Sequence, residues 1–102
     1  MKQQDQTQAP AGEVQRNAAQ SRYEIHVDGT LAGFAAYREE AGRVYLTHTE
    51  VQPAYAGQGL GSRLAAQALE DIRSRGLKVV PQCSFMAAYL GRHAQQYTGL
   101  AA

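Results

Sequence analysis

The chain reads as an α+β domain built on a mixed α/β sheet, an antiparallel meander followed by a β-α-β-α unit. Three observations predict this. Apolar residues alternate with a period of two as far as Val51, a glycine-rich stretch follows at Gly57, Gly59 and Gly61, and the period then lengthens to about 3.6. A further extended run and a second helical run close the chain. A strand, a helix and a strand in that order usually join parallel neighbours by a right-handed crossover, so the sheet is expected to begin antiparallel and end parallel.

Size and composition limit the rest. With 102 residues the chain makes one domain with one modest core. Met1 to Gly12 is rich in glutamine, carries an Ala-Pro-Ala break and offers little to bury, so 1–12 is expected to be a flexible tail and 13–102 the domain. The formal net charge is +1 with 19% charged residues, which argues against a nucleic-acid surface or a polybasic membrane anchor. The single cysteine, Cys83, excludes an internal disulfide and suits a reducing compartment. No apolar run is long enough to span a bilayer, and no signal-peptide core is visible, so a cytoplasmic location is expected.

Each element has a local cause. Glu13 to Asn17 reads as a short first strand. From Tyr23 the alternation is strict, with Tyr23, Ile25 and Val27 on one side and Arg22, Glu24 and His26 on the other. Asp28-Gly29 is a two-residue hairpin signal. The chain returns along Leu31 to Tyr37, turns through Glu39 to Gly42 and runs extended from Arg43 to Val51. After the glycines, Leu60, Leu64, Ala65, Ala68, Leu69 and Ile72 share one helical face, and Arg73, Arg75 and Gly76 mark its end. Lys78 to Cys83 reads as a strand in which Pro81 cannot donate to a ladder, so the strand is expected to lie open there. Ser84 is expected to cap a last helix carrying Phe85, Met86, Tyr89, Leu90 and His93.

The stretch Ala56-Gly57-Gln58-Gly59-Leu60-Gly61-Ser62 is the strongest chemical signal. Its glycines remove β-carbons that would hold a ligand off the backbone, and the helix that follows aims free amides and a positive dipole end at the same place. Such a loop suits a pyrophosphate. No Lys-Ser or Lys-Thr pair follows, which argues against a nucleotide-triphosphate loop, and the preceding antiparallel strands argue against a dinucleotide fold.

The runs His48-Thr49-Glu50-Val51, Gly57-Gln58-Gly59-Leu60-Gly61 and Val80-Pro81-Gln82-Cys83-Ser84-Phe85 together resemble the small, single-domain branch of the GNAT superfamily of N-acetyltransferases. The resemblance covers roughly residues 13 to 100. It implies a reduced fold without the helices that usually follow the first strand, for which the four residues between the first two strands leave no room. It also implies that the strands on either side of the crossover splay apart to admit pantetheine, that Val51 and its neighbours hydrogen-bond that arm, and that acetyl-CoA is the cofactor, with no metal. Gly59 and Gly61 match the superfamily's acetyl-CoA signature. Ala56 stands where Arg or Gln is usual, its backbone amide being the contact it is expected to supply.

Four residues are candidates for the chemistry. Cys83, at a strand end before a helix whose dipole favours a thiolate, is by resemblance a transient acetyl acceptor or a wall of the acetyl pocket; a lone cysteine is also often a small buried hydrophobe. His48 and Glu50 are read as sharing the face of Val44 and Leu46, where an apolar row turns polar. His48 would take a proton from an amine or thiol and Glu50 would orient it or attract a cationic amine, unless both are solvated strand-end groups. By the same resemblance Tyr89 would return a proton to the departing thiolate, or it is core. The expected function is acetyl transfer from acetyl-CoA to an amine, on a small molecule or a protein, with a non-catalytic acyl-CoA-binding or sensing module as the alternative. Neither nucleic acid nor membrane is an expected partner, and a monomer or homodimer is expected.

Overall fold

The computed structural model describes residues 12–102. The expected tail therefore lies outside the described residues except for Gly12, which is buried and whose carbonyl accepts a hydrogen bond of 2.6 Å from Arg63 Nε. The elements are β1 (Glu13–Asn17), β2 (Arg22–Val27), β3 (Thr30–Glu40), β4 (Arg43–Val51), α1 (Leu60–Ser74), β5 (Lys78–Pro81) and α2 (Ser84–Arg92). One five-stranded sheet runs in chain order, β1 to β5. The first three pairings are antiparallel and β4 with β5 is parallel, as the order of elements predicts. Only a short 3₁₀ turn, Ala18–Gln20, and Ser21 separate β1 from β2.

Two hairpins set the meander. Asp28 and Gly29 have φ of 51° and 80°, and Ala41 and Gly42 have φ of 52° and 80°. Successive left-handed residues are what a two-residue turn needs to match strand twist. The second turn is tighter than the expected one, because β3 continues to Glu40.

α1 buries its predicted stripe, Leu60, Leu64, Ala65, Ala68, Leu69 and Ile72, against Tyr23, Ile25, Ala35, Tyr37, Val44, Leu46 and Val79 of the sheet. Tyr23 adds a polar fastening, its hydroxyl donating to Asp71 Oδ2 at 2.7 Å. Burial, and then the Asp71 carboxylate, push that phenol well above its ordinary range. Arg75 closes the fastening through Glu39 at 2.7 Å. Helix and sheet are thereby held in one orientation, and the start of α1 is placed beyond the end of β4.

After α2 the chain contributes more core than its sequence suggested. Tyr97 and Leu100 are buried, and Val79 N–H donates to Leu100 O at 2.9 Å while Ala102 N–H donates to Val79 O at 2.9 Å, which covers the outer edge of β5. Among the described residues no helix is long and apolar enough to cross a membrane.

Candidate functional site

The chain leaves β4 through a 3₁₀ turn, Pro53–Tyr55, and enters the glycine loop. Gly57 and Gly59 are left-handed, with φ of 81° and 76°, and a β-carbon built on either would meet no other atom within 4 Å. Open space therefore lies in front of the loop. Gly59 caps α1 with no side-chain hydrogen bond, and the first helical bond is Arg63 N–H to Gly59 O at 3.1 Å. Among the described residues, the six amides from Gly57 to Ser62 have no acceptor. Together they form a cluster of donors at a positive helix end, which is what a pyrophosphate requires. Ala56 differs: its amide donates to Pro53 O at 3.2 Å and is spent closing the turn, so it is not free as expected. The Arg63 side chain is likewise occupied, by Gly12.

Beside the loop the sheet opens. β5 pairs with β4 only over Arg43 to Leu46, whereas β4 runs on to Val51. Pro81, opposite Leu46, has no N–H to continue the ladder. The amides of Gln82 and Cys83 instead converge on Leu46 O at 2.9 and 3.0 Å, and the chain turns away into α2. Along the opened side, the Gln52 amide donates back to Ala32 O at 2.8 Å. By the alternation of an antiparallel ladder, the peptide groups of Val51 and Thr49 face the other way, into the gap.

A bulge decides which side chains flank this gap. Ala36 pairs with His48 but Tyr37 pairs with Leu46, so Thr47 is an extra residue in β4 and its hydroxyl bonds Ala36 O at 3.3 Å. An extra residue reverses the alternation. The reading of His48 and Glu50 on the face of Val44 and Leu46 is therefore overturned. Thr49 and Val51, paired with Ala35 and Gly33, take the helix-side face. His48 and Glu50 lie on the opposite one, paired with Ala36 and Phe34. They are solvent-exposed, with His48 Nε2 3.2 Å from Glu50 Oε1 and the imidazole tilted against Phe34. Farther along that face, the Arg22 guanidinium and then Asn17 hold the buried Glu24 carboxyl below the usual carboxylate range, against the opposing effect of burial.

Cys83 stands at the closed end of the gap. It caps α2 itself, its Sγ accepting from Met86 N–H at 3.4 Å, and Ser84 is the first helical residue rather than the expected cap. β5 accordingly ends at Pro81, short of the expected Cys83. Thr49 Oγ1 lies 3.2 Å from the sulfur, across the gap. The sequence alone gives Thr49 no role, because a simple alternation of β4 points His48 this way. Phe85, in the first turn of α2, is 37% exposed, and its ring lies so close over Gly61 that a β-carbon there would approach to 3.0 Å. Tyr89 is almost fully buried with His93 and Tyr97, the ring centroids 4.3 and 6.4 Å away. Burial and the adjacent Tyr89 push the Tyr97 phenol up to about 12. Tyr89 is thus built into the wall made with the C-terminal segment, six residues beyond Cys83. Among the described residues no group of three or more His, Cys, Asp or Glu side chains could hold a metal ion.

A family model described as GCN5-related N-acetyl-transferase matches residues 22–100. No curated protein matches. Among solved structures, a GCN5-like protein from Staphylococcus aureus is similar with a TM-score of 0.64 at 23% identity, over 88% of this chain and 87% of that one. A GNAT family acetyltransferase from Brucella melitensis in complex with acetyl-CoA is similar with a TM-score of 0.54 at 23% identity, over 71% of this chain and 55% of that one. PaiA N-acetyltransferase from Thermoplasma acidophilum in complex with coenzyme A is similar with a TM-score of 0.52 at 17% identity, over 72% and 48%. The chain thus spans most of the first and about half of the other two.

Proposed function

The chain belongs to the GCN5-related N-acetyltransferase family, and from that premise we propose that it transfers an acetyl group from acetyl-CoA, through Cys83, to an amine. The observation that carries the proposal is the junction of two features, six glycine-loop amides with no acceptor among the described residues and a strand gap that ends at a thiol.

The residues fit such a donor. The amides of Gly57, Gln58, Gly59, Leu60, Gly61 and Ser62 would hold the pyrophosphate, and the gap-facing peptide groups of Val51 and Thr49 would hold the pantetheine amides. Bound there, acetyl-CoA supplies an activated thioester. The Cys83 sulfur forms a bond to the carbonyl carbon as the carbon–sulfur bond of the donor breaks, and the cysteine proton passes to the released thiol through water. The amine then takes the acetyl group, and Cys83 regains a proton. Holding the reactants at one end of a narrow gap contributes much of the rate. His48 and Glu50 flank the same gap from its other face, so we assign them to the acceptor: Glu50 orients His48, and His48 removes the ammonium proton.

Radiolabelled acetyl-CoA incubated with the protein alone, followed by peptide mass analysis, tests this reading. Label on Cys83 is expected, with near-total loss of transfer in Cys83→Ala. Substantial activity in that variant would replace the covalent route by direct transfer. Binding without any transfer would leave a non-catalytic acyl-CoA module, and neither binding nor label would end the acetyl-CoA reading. Because Tyr89 is buried among aromatic rings, we read it as wall. Tyr89→Phe should therefore stay within about threefold of the parent activity, whereas loss of a working general acid costs about 10²–10⁴. Steady-state rates separate the two.

A further inference from the structure

The geometry points to Thr49 as the residue that positions the sulfur of Cys83, a role that rests on the placement of Cys83 at the acetyl end. The cysteine backbone is already fixed, because its amide and that of Gln82 share Leu46 O. What remains free is the side-chain torsion, which has three staggered wells. Two contacts select one of them: Met86 N–H at 3.4 Å from inside α2, and Thr49 Oγ1 at 3.2 Å from across the gap. A threonine hydroxyl donates to a thiolate and accepts from a thiol, so it holds the sulfur in either state. Its β-branch is stiff, so the hydroxyl arrives in a defined direction.

The placement of Thr49 depends on the bulge. Thr47 takes up the extra position and bonds Ala36 O, and only because of that residue does the 49th side chain, rather than the 48th, reach the sulfur. Two contacts then converge on one sulfur at the mouth of α2. They aim it along the gap, and a sulfur held in one direction attacks faster than one that samples three.

The test needs no acyl donor. Cys83 is the only cysteine, so alkylation of the unliganded protein by iodoacetamide at pH 7, followed by intact mass, reports this sulfur alone. The sulfur bonds to the methylene carbon, iodide leaves and the thiol proton passes to buffer. Thr49→Val keeps the shape and removes the hydroxyl, and should slow alkylation about fivefold, the factor carried by one ordinary hydrogen bond. Thr49→Ser restores the hydroxyl and should return the rate to within about twofold of the parent. A packing role would make Val the better substitute and Ser the poorer one. Alkylation of Thr49→Val at the parent rate or faster, or a Ser variant as slow as Val, overturns the assignment. If Val does not fold, Thr49→Ala against Thr49→Ser carries the same comparison. Failure of acetyl label on Cys83 in the parent would instead remove the covalent reading and leave the alkylation result standing.

Discussion

Coenzyme A is expected to raise the melting temperature of the parent, and Gly59→Val is expected to abolish that rise while the variant remains folded. Two properties of the position combine. At φ of 76° a residue with a β-carbon costs about 1–2 kcal/mol, and a β-branched one is a true outlier there. The added side chain also projects into the open space in front of the loop amides, since no protein atom lies within 4 Å of its first carbon. A ligand at 100 times its dissociation constant contributes about 2.7 kcal/mol, which in a domain of this size raises the melting temperature by roughly 10–20 °C. That increment should vanish. Gly42→Val is the control, because Gly42 has φ of 80°, equally open surroundings and a place in a distant hairpin turn. It should show a comparable fall in the free protein and keep the full coenzyme A increment. Should Gly59→Val keep the increment, the loop is an ordinary turn before a helix.

Leu64→Ala should bring the largest loss of stability. Leu64 is fully buried at the centre of the α1 stripe, inside a core that β2, β3, β4, β5 and both helices share. Truncation removes its transfer free energy and leaves a cavity, a combined cost of about 2–5 kcal/mol. A domain of this length holds only about 5–15 kcal/mol in total. The melting temperature should therefore drop by roughly 10–25 °C, with a matching shift in urea midpoint and little change in its slope. Gln67→Ala, on the exposed side of the same helix, should stay within about 0.5 kcal/mol of the parent. Equal effects of the two would mean that α1 does not pack through the stripe of Leu64.

The boundary between what could be read from the residues and what could not runs through β4. Its existence, the two hairpins, the α1 stripe and the glycine loop each follow from chemistry within a few residues. Asp28-Gly29 tolerates left-handed backbone, apolar spacing selects a helical face, and glycines before a helix leave its amides bare. The early end of strand pairing was legible too, since Pro81 carries no amide to extend it. The faces of His48 and Thr49 were not legible. Side-chain alternation is counted along one strand, but the extra residue at Thr47 exists only as a mismatch with Ala36 and Tyr37 of the neighbouring strand. The same reason covers the occupied Ala56 amide, the capping of α2 by Cys83 and the burial of Tyr97 and Leu100 against β5. The sequence by itself determined which elements form and where the glycine loop sits ahead of α1, because those depend on local conformational preference. Tertiary structure decided which side chains meet at the gap, because register between strands is a property of the pair.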